Sequence, residues 1–367
     1  MRVLVTGGSG YVGSHTAREL ARQGHEVIIY DNLSTGHIAL SEGFQLVVGD
    51  IADKEKLKRC LDGVEVVMHF AASSYVGESV ANPRKYFANN VEAGLKLVDC
   101  LLECSVQKII FSSSCAVYGT PSHLPIVEES VKEPINPYGA TKLFFERVLA
   151  AYAHSHDLRY VALRYFNAAG AELDGTIGEC HDPETHIIPR AIRAALRTAP
   201  PLKIFGGTLP TPDGTCVRDY IHVSDLARAH AQAADYLMNG GEPVALNLGT
   251  GKGTTLRRLL TEIETITGRI VPHAIVEPRS GDPPVLYADP SKARKLLQWE
   301  ARHDLGEIIR TAWAWEKKRS SVSTVDGWNL WGSPSNKSGQ AQNTNGDYPC
   351  SLSSSPSPER IDESVRG

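Results

Sequence analysis

The chain has 367 residues, of which 42% are hydrophobic and 22% charged, and its net charge is −4 at pH 7. This is the composition of a globular protein with enough chain for about two domains. The slightly acidic balance gives no reason to expect a nucleic-acid partner, and no segment approaches the roughly 20 consecutive apolar residues that a membrane helix needs.

Strand and helix patterns alternate through the first part of the chain. One helix is expected to begin with Asn82 as its N-cap and Pro83 in its first turn. Repeated alternation of this kind predicts an α/β fold, with a doubly wound, Rossmann-type parallel sheet covered on both faces. The predicted strands are residues 2–6, 26–30, 44–48, 66–70, 108–112 and 160–164.

The pattern becomes less regular after about residue 165. Strands at 203–205 and 245–248 are short, and helices are expected after Ser224, after Thr254 and at Asp304, where Asp304 and Glu307 have the spacing of a capping box. From about Ser320 the composition shifts to Ser, Asn, Gly, Pro and Gln, which predicts disorder. We therefore predict a first domain at 1–165 with contributions from later segments, a smaller α/β lobe at 166–317, and a disordered tail at 318–367.

Cysteine and histidine usage limits the function further. The seven cysteines include no CxxC pair and no zinc-type spacing, and the first residues lack the pattern of a signal peptide. His181 and His186 flank the segment HDPETH, which we interpret as a loop because no further ligand cluster lies nearby in the sequence. The sequence therefore predicts a reduced, cytoplasmic protein without a metal site.

A glycine-rich stretch, TGGSGYVGSH at residues 6–15, lies between the first predicted strand and the first predicted helix. Gly8, Gly10 and Gly13 fit GxGxxG, and Gly7, Gly10 and Gly13 fit GxxGxxG. Because glycine has no Cβ atom, the backbone amides of such a loop can approach a pyrophosphate at the positive end of the helix. The position of the loop therefore predicts a dinucleotide site.

An acidic residue, Asp31, ends the second predicted strand, eighteen residues beyond Gly13. A carboxylate there can accept hydrogen bonds from ribose hydroxyls and repels a 2′-phosphate, which favours NAD over NADP. Asp31 and Asn32 could equally form a turn, and the two roles are compatible. Asp50 and Ile51 close the third strand and could meet the adenine, although aspartate is common at strand ends.

Two further motifs follow the fifth strand. Residues 111–119 read FSSSCAVYG, and residues 136–142 read NPYGATK, in which Tyr138 and Lys142 share a helical face. With 13 tyrosines in the chain, one YxxxK pattern can arise by chance. Its place after the serines, at the start of the apolar helical segment LFFERVLAAYA, favours a functional role.

Together, the glycine loop, Asp31, SSSCAVYG and YGATK resemble an extended short-chain dehydrogenase/reductase. Further stretches resemble the UDP-glucose (UDP-galactose) 4-epimerase family within that group. The resemblance covers about residues 1–317. The stretches are HFAAS at 69–73, YVGES at 75–79, NNV at 89–91, LRYFNAAG at 163–170, DGTCVRDYIHV at 213–223 and NLGTGKG at 247–253.

The resemblance implies a reaction and its catalytic residues. Tyr138 would act as base and acid, Lys142 would stabilise its phenolate and hold the nicotinamide ribose, and Ser114 would bind the 4-oxygen of the sugar. The phenol of tyrosine has a pKa near 10, so it needs a neighbouring cation to work at neutral pH. The implied activity is reversible 4-epimerisation of a UDP-hexose with tightly bound NAD, in a homodimer formed through the helices that begin near Pro83 and Tyr138.

The residues after the serines bear on the alternatives. Related dehydratases and decarboxylases carry an acid there, whereas this chain has Cys115 and Ala116. Oxidation without elimination is therefore favoured over a lyase reaction. A non-catalytic NAD-binding regulator is a third class, which the presence of Tyr138, Lys142 and Ser114 disfavours. The preferred sugar stays open among a hexose, its N-acetyl form and a pentose.

The resemblance also implies binding residues. Ser74 and His186 depart from one branch of the family, which has lysine and asparagine there, and this leaves the fine specificity open. The implied NAD contacts include aromatic and small residues that could equally be core residues. They are Tyr11, Val12, Asn32, Ser34, Phe70, Ala71, Asn89 and Phe166, in addition to the glycines, Asp31, Asp50, Ile51 and the catalytic residues. The implied sugar-nucleotide contacts are Asn167, His186, Arg218, Arg279, Asp282 and Leu286, with Ser114 and Tyr138.

Overall fold

The computed structural model of the protein describes residues 1–278 and 283–321. Its main sheet, within this part of the chain, has the strand order β3-β2-β1-β4-β5-β6-β11, and every neighbouring pair is parallel. This order confirms the predicted doubly wound, Rossmann-type fold. The strands are β1 (Arg2–Thr6), β2 (Glu26–Asp31), β3 (Gln45–Val48), β4 (Val66–His69), β5 (Lys108–Ser114), β6 (Arg159–Tyr165) and β11 (Val244–Leu248).

Helices cover both faces of this sheet. Because side chains alternate along a strand, Val3 and Val5 face one core and Leu4 faces the other. The first core packs against α1 and α8, and the second against α2, α5 and α6. The helices of the described residues are α1 (Tyr11–Arg22), α2 (Lys54–Cys60), α3 (Val76–Ala81), α4 (Pro83–Phe87), α5 (Ala93–Glu103), α6 (Pro137–Ser155), α7 (Ile187–Ala195), α8 (Val223–Met238), α9 (Leu256–Thr267), α10 (Ser291–Leu297) and α11 (Leu305–Ser321).

Helix starts follow the local sequence. Asn82 caps α4 by accepting a hydrogen bond from the Lys85 amide at 3.3 Å, with Pro83 in the first turn, which confirms that prediction. Asp304 Oδ1 accepts a hydrogen bond from the Glu307 amide at 2.8 Å at the start of α11. These caps satisfy backbone donors that the first helical turn leaves without partners.

After β6, α8 and β11 still belong to the main sheet and its cover, and other segments build a smaller group of strands and helices. One core there joins α7, α9 and α11 to a two-stranded sheet. The predicted strand at 245–248 appears as β11, the edge strand of the main sheet beside β6. The remaining strands are β7 (Asn167–Ala169), β8 (Leu202–Phe205), β9 (Val217–Arg218), β10 (Tyr220–His222), β12 (Thr254–Thr255), β13 (His273–Val276) and β14 (Val285–Leu286).

The predicted tail lies almost entirely outside the described residues. Residues 318–321 continue α11, and the rest of the predicted tail, 322–367, is not described. In the described ranges, no helix combines the length and the apolar character that crossing a membrane requires.

Candidate active site

The glycine loop makes a tight turn between β1 and α1. Gly7 has a φ of +74°, and a Cβ atom on it would lie 2.5 Å from the Ala71 amide nitrogen. A Cβ atom on Gly13 would lie 2.4 Å from the carbonyl oxygen of Gly7. The Gly10 amide donates to the same carbonyl at 3.1 Å, and α1 begins at the next residue, Tyr11, followed by the half-buried Val12. The loop thus leads directly into a helix N-terminus, the arrangement that binds a pyrophosphate.

Asp31 lies beside this loop at the end of β2. Its Oδ2 accepts a hydrogen bond from the Ser9 amide at 2.9 Å, and its Oδ1 accepts one from the Leu33 amide at 2.8 Å. Burial raises the pKa of Asp31, and these two hydrogen bonds oppose the shift. The turn interpretation is therefore visible in the structure. A carboxylate has about four acceptor sites, so capacity for ribose hydroxyls remains.

The neighbouring strand end brings a second aspartate to the same place. Asn32 Nδ2 donates to Asp50 Oδ2 at 3.0 Å, and Asn32 Oδ1 accepts from the Ser34 amide at 3.0 Å. Ile51 is buried directly after Asp50. The predicted contacts on β2 and β3 therefore form one hydrogen-bonded edge beside the glycine loop.

The residues that follow β4 lie on the other side of β1 from β2. The amides of Phe70 and Ala71 both donate to the Thr6 carbonyl, at 2.9 and 3.1 Å. Asn89 Nδ2 donates to Ser73 Oγ at 3.3 Å, which places it against the segment that follows β4. The predicted cofactor residues from four strand ends thus lie along one edge of the sheet.

Ser114 and Tyr138 meet where β5 ends and α6 begins. Asn136 caps α6 by accepting from the Gly139 amide at 2.8 Å. A Cβ atom on Gly139 would lie 2.4 Å from the Ala116 carbonyl oxygen, so this glycine lets α6 pack closely on the turn after β5. That packing brings the Tyr138 hydroxyl to the Ser114 side chain as a hydrogen-bond partner.

Lys142 lies one helical turn further along α6 and is buried. Its Nζ donates to the Ser112 carbonyl oxygen at 2.7 Å and lies 5.8 Å from the centroid of the Tyr138 ring. The three predicted catalytic residues are therefore assembled by two neighbouring elements, β5 and α6.

Burial controls the proton affinities at this site. It raises the pKa of Tyr138, aided by Tyr165 and opposed by the hydrogen bond with Ser114. It lowers the pKa of Lys142 from 10.5 to about 7, and the Glu146 carboxylate opposes that shift. Both groups therefore favour their neutral forms, because the charged form of each loses water on burial. An ammonium on Lys142, whose Nζ lies 5.8 Å from the centroid of the Tyr138 ring, would favour the phenolate by its charge.

A buried ion pair supports the catalytic residues from below. Glu146 lies four residues after Lys142 and accepts from Ser113 Oγ at 2.5 Å. Arg164 on β6 donates to both Glu146 oxygens, with Nη2–Oε2 at 2.6 Å, and its Nη1 donates to the Tyr118 hydroxyl at 2.8 Å. Ser112 Oγ pairs in turn with the Tyr165 hydroxyl at 2.5 Å, and the contacts of Glu146 fix α6 against β5 and β6.

Cys115 occupies the position where related lyases carry an acid. Burial raises the pKa of its thiol to about 12. A thiol with so high a pKa is a poor proton donor at pH 7 and is not ionised to act as a base in an elimination.

Candidate substrate residues lie on the strands next to this site. Asn167 begins β7, directly after the buried Phe166, whose amide donates to the Leu248 carbonyl at 3.2 Å. Arg218 on β9 and Leu286 on β14 pair across neighbouring parallel strands. Arg279 and Asp282 lie outside the described residues.

His186 lies in a different environment. It precedes α7, and its Nδ1 contacts the Glu179 carboxylate within a cluster that also contains His181 and Glu184. The structure thus brings four possible ligands together in a segment that the sequence predicts to be a loop without a ligand cluster.

Several residues of the site were missed from the sequence. Glu146 could have been found, because it continues the four-residue spacing of Tyr138 and Lys142. Asn90 could not, because its role depends on a contact between distant segments. Its side chain accepts from the Ser73 amide at 2.8 Å and donates to Thr141 Oγ1 at 3.1 Å, joining the loop after β4 to α6.

Comparison with known proteins gives consistent matches. Residues 3–249 match the model of the NAD dependent epimerase/dehydratase family. UDP-glucose 4-epimerase from Rhizobium meliloti is 48% identical over 320 residues, which cover 87% of this chain and 98% of the relative. The match extends well beyond the glycine loop and includes the segments that carry the candidate substrate residues.

Solved structures agree with the sequence matches. A crystal structure of UDP-glucose 4-epimerase from Brucella ovis in complex with NAD is 53% identical, with a TM-score of 0.84, covering 85% of this chain and 97% of that one. A crystal structure of UDP-glucose-4-epimerase from Stenotrophomonas maltophila with bound NAD and formylated UDP-arabinopyranose is 40% identical. Its TM-score is 0.86, covering 88% of this chain and 99% of that one.

Proposed function

Because the chain belongs to the NAD dependent epimerase/dehydratase family, we propose that it interconverts UDP-glucose and UDP-galactose by transient oxidation at C4 with tightly bound NAD. The observation that carries this proposal is the meeting of Ser114, Tyr138 and Lys142 at the edge of the sheet that also carries the glycine loop. A chain without catalysis would have no need for this arrangement.

The residues around the glycine loop fit NAD. Gly7 and Gly13 leave no room for a Cβ atom, so backbone amides stay accessible at the start of α1. Asp31 presents a carboxylate beside them, which suits ribose hydroxyls and repels the 2′-phosphate of NADP. When bound, NAD supplies reversible acceptance of the C4 hydride of the sugar. The cycle leaves no net redox change, so the protein gains nothing by releasing it.

The catalytic residues manage the proton of the 4-hydroxyl. Tyr138 accepts it as the C4 carbon is oxidised and returns it when the opposite epimer forms. Lys142 in its protonated form supplies a positive charge that stabilises the Tyr138 phenolate, and a pKa lowered to about 7 leaves that form partly populated at neutral pH. Ser114 donates a hydrogen bond to the 4-oxygen and keeps it near the phenol. The 4-keto sugar rotates in the pocket between the two half-reactions and so presents its opposite face.

The substrate residues suit a UDP-sugar. Arg218 on β9 offers a planar guanidinium for the diphosphate. Asn167 lies on β7 and Leu286 on β14. We assign Arg279 and Asp282 to the same ligand on the strength of the family motifs alone, whereas His186, which the resemblance also implies for this ligand, has its Nδ1 against the Glu179 carboxylate. The dehydratase or decarboxylase alternative loses support because Cys115 is a half-buried thiol whose pKa lies far above neutral pH.

A homodimer is the assembly that the surface favours. Phe87 on α4 and Phe144 on α6 are 44% and 47% exposed and line one surface groove together with Leu143. Two such helix pairs, brought together across a two-fold axis, would cover these apolar side chains. Phe144→Glu should give a monomer by light scattering, and a dimer that persists in this variant would place the interface elsewhere. The cytoplasmic location stays a prediction.

One incubation tests the activity. The purified protein should convert UDP-galactose into UDP-glucose with no added NAD, and denaturation should release NAD into the supernatant. A protein that arrives empty and requires NADP would contradict both the cofactor assignment and the role of Asp31. Conversion to a 4-keto-6-deoxy product would instead support the dehydratase alternative.

A further inference from the structure

The segment between β7 and α7 gathers four side chains that bind metals in other proteins. Glu179, His181, Glu184 and His186 each offer one ligand atom, and these atoms all lie within 4.8 Å of one another. Residues 179–186 are called the EH loop below. Its ligand set is distinct from the catalytic residues on β5 and α6.

The ligand atoms of the EH loop are close enough together to reach one ion. His181 Nδ1 lies 3.0 Å from Glu179 Oε1 and 3.9 Å from Glu184 Oε1, and His186 Nδ1 also contacts Glu179 Oε1. Zinc bonds to nitrogen and carboxylate oxygen are about 2.0–2.2 Å long, so ligand atoms at the corners of a tetrahedron are separated by roughly 3.3–3.6 Å. The observed separations lie on both sides of this value and include the closer contact between His186 and Glu179, so small side-chain movements are needed for the four groups to surround an ion.

The ligands are held by further contacts. Trp315 Nε1 donates to the Glu179 carbonyl at 2.8 Å, which anchors the buried end of the loop. Arg193 Nη2 lies 3.4 Å from Glu184 Oε2 and 2.9 Å from Glu316 Oε1. Supporting contacts of this kind orient the ligands of metal sites before the ion binds.

We propose that the EH loop binds one divalent transition-metal ion, with Zn²⁺ as the ion that its donors suit best. Two imidazoles favour zinc over magnesium or calcium, which prefer ligand sets made of oxygen. Four protein ligands fill a tetrahedral shell, so the ion serves structure and leaves no position for a reacting water. The proposal replaces the expectation of a metal-free protein.

The position of the loop indicates what the ion does. The ring of His181 lies 6.2 Å from that of Tyr11, the first residue of α1, and 5.9 Å from that of Tyr75. His186 precedes α7 directly. The ion would therefore fix the start of α7 beside the glycine loop. A benefit of the ion to nucleotide binding rests on the proposed function. The metal site itself does not.

Metal content is the decisive measurement. The protein is prepared without a polyhistidine tag, stripped with a chelator, reloaded with Zn²⁺ and desalted, and its zinc is counted by mass spectrometry. We expect one zinc per chain in the wild type and in His154→Asn, a matched change at an exposed histidine on α6. Glu179→Gln and His181→Asn should lose most of it. Circular dichroism verifies that the variants are folded.

A second measurement needs no variant. Zinc should raise the melting temperature of the stripped wild type, and Co²⁺ in its place should give the strong visible absorption of a tetrahedral site. A stripped protein that takes up no zinc, or variants that bind it as tightly as the wild type, would overturn the proposal and leave the cluster as ion pairs. Epimerase activity enters neither measurement, so this test and that of the proposed function fail independently.

Discussion

Leu286 and Arg218 lie directly opposite each other on the neighbouring parallel strands β14 and β9. Paired residues of two strands point to the same face, so Leu286 is the cross-strand neighbour of Arg218, whose Nη1 donates to the Val217 carbonyl at 2.9 Å. Leu286 also packs against the cluster that contains Phe166 and Tyr118. It therefore lies between a candidate phosphate ligand and the core next to the catalytic turn, as a boundary of the sugar pocket would.

Leu286→Tyr should narrow the range of sugars. Leucine leaves more room than tyrosine, so we expect UDP-glucose and UDP-galactose to react best and the N-acetylhexosamine pair to react more slowly. The larger ring should suppress the N-acetyl reaction and leave the hexose reaction mostly unchanged. The measurement is kcat/KM for both pairs in both proteins. A ratio that stays constant on mutation would show that Leu286 packs without bounding the pocket.

Tyr138→Phe should lower kcat by about 10² to 10⁴-fold, the usual contribution of a general acid–base group. The variant loses one hydroxyl, whose partner is Ser114, and keeps the ring and its packing. Its NAD content and melting temperature should therefore stay near those of the wild type. A variant that keeps more than about a tenth of the wild-type rate would contradict the assignment of the base.

Lys142→Met should show the stability cost of a buried ammonium. The pKa of Lys142 falls from 10.5 in water to about 7 in the fold because of burial, with Glu146 opposing. Between these values the unfolded chain binds a proton that the folded protein lacks, so this lysine makes the free energy of unfolding rise with pH from about 7 to 10.5. Methionine has no such dependence.

Urea unfolding at pH 7 and pH 9 measures this effect. The free energy of unfolding of Lys142→Met minus that of the wild type should be larger at pH 7 than at pH 9. The activity of the variant should be lost at both pH values. Lys203→Met, at an exposed lysine on β8, is the matched control and should show little change in that difference. If this difference changed equally little between pH 7 and pH 9 in both variants, Lys142 would have the same pKa in the fold as in water.

Glu146→Ala should destabilise the protein by about 3–5 kcal/mol, because it leaves the Arg164 guanidinium buried without its carboxylate. Lys292→Ala is the control, since it removes an exposed ion pair with Glu129 and should cost less than about 1 kcal/mol. Equilibrium unfolding compares the two. Similar losses of unfolding free energy in both variants would indicate that the network under α6 stabilises the protein no more than an exposed ion pair does.

Much of the fold could be predicted because its signals are local. The six predicted strands of the first part recur with ends within two residues, since each is an apolar run bounded by turns. The Asn82 cap is set by neighbours in the chain, and so is the closeness of Tyr138 to Lys142, four residues apart on one helix. Such features need only the geometry of a strand, a turn or a helix.

The remaining relationships depend on how distant segments pack. Arg164 reaches Glu146 because β6 lies next to β5, under α6, and Leu286 reaches Arg218 because two short strands pair across nearly seventy residues of chain. The EH loop shows that even a short segment needs tertiary contacts to be understood. Its four ligands are close in the sequence. They converge because Trp315 on α11 and Arg193 on α7 hold the loop in one conformation. Loop backbones have no repeating geometry, so the packing around them decides which side chains meet.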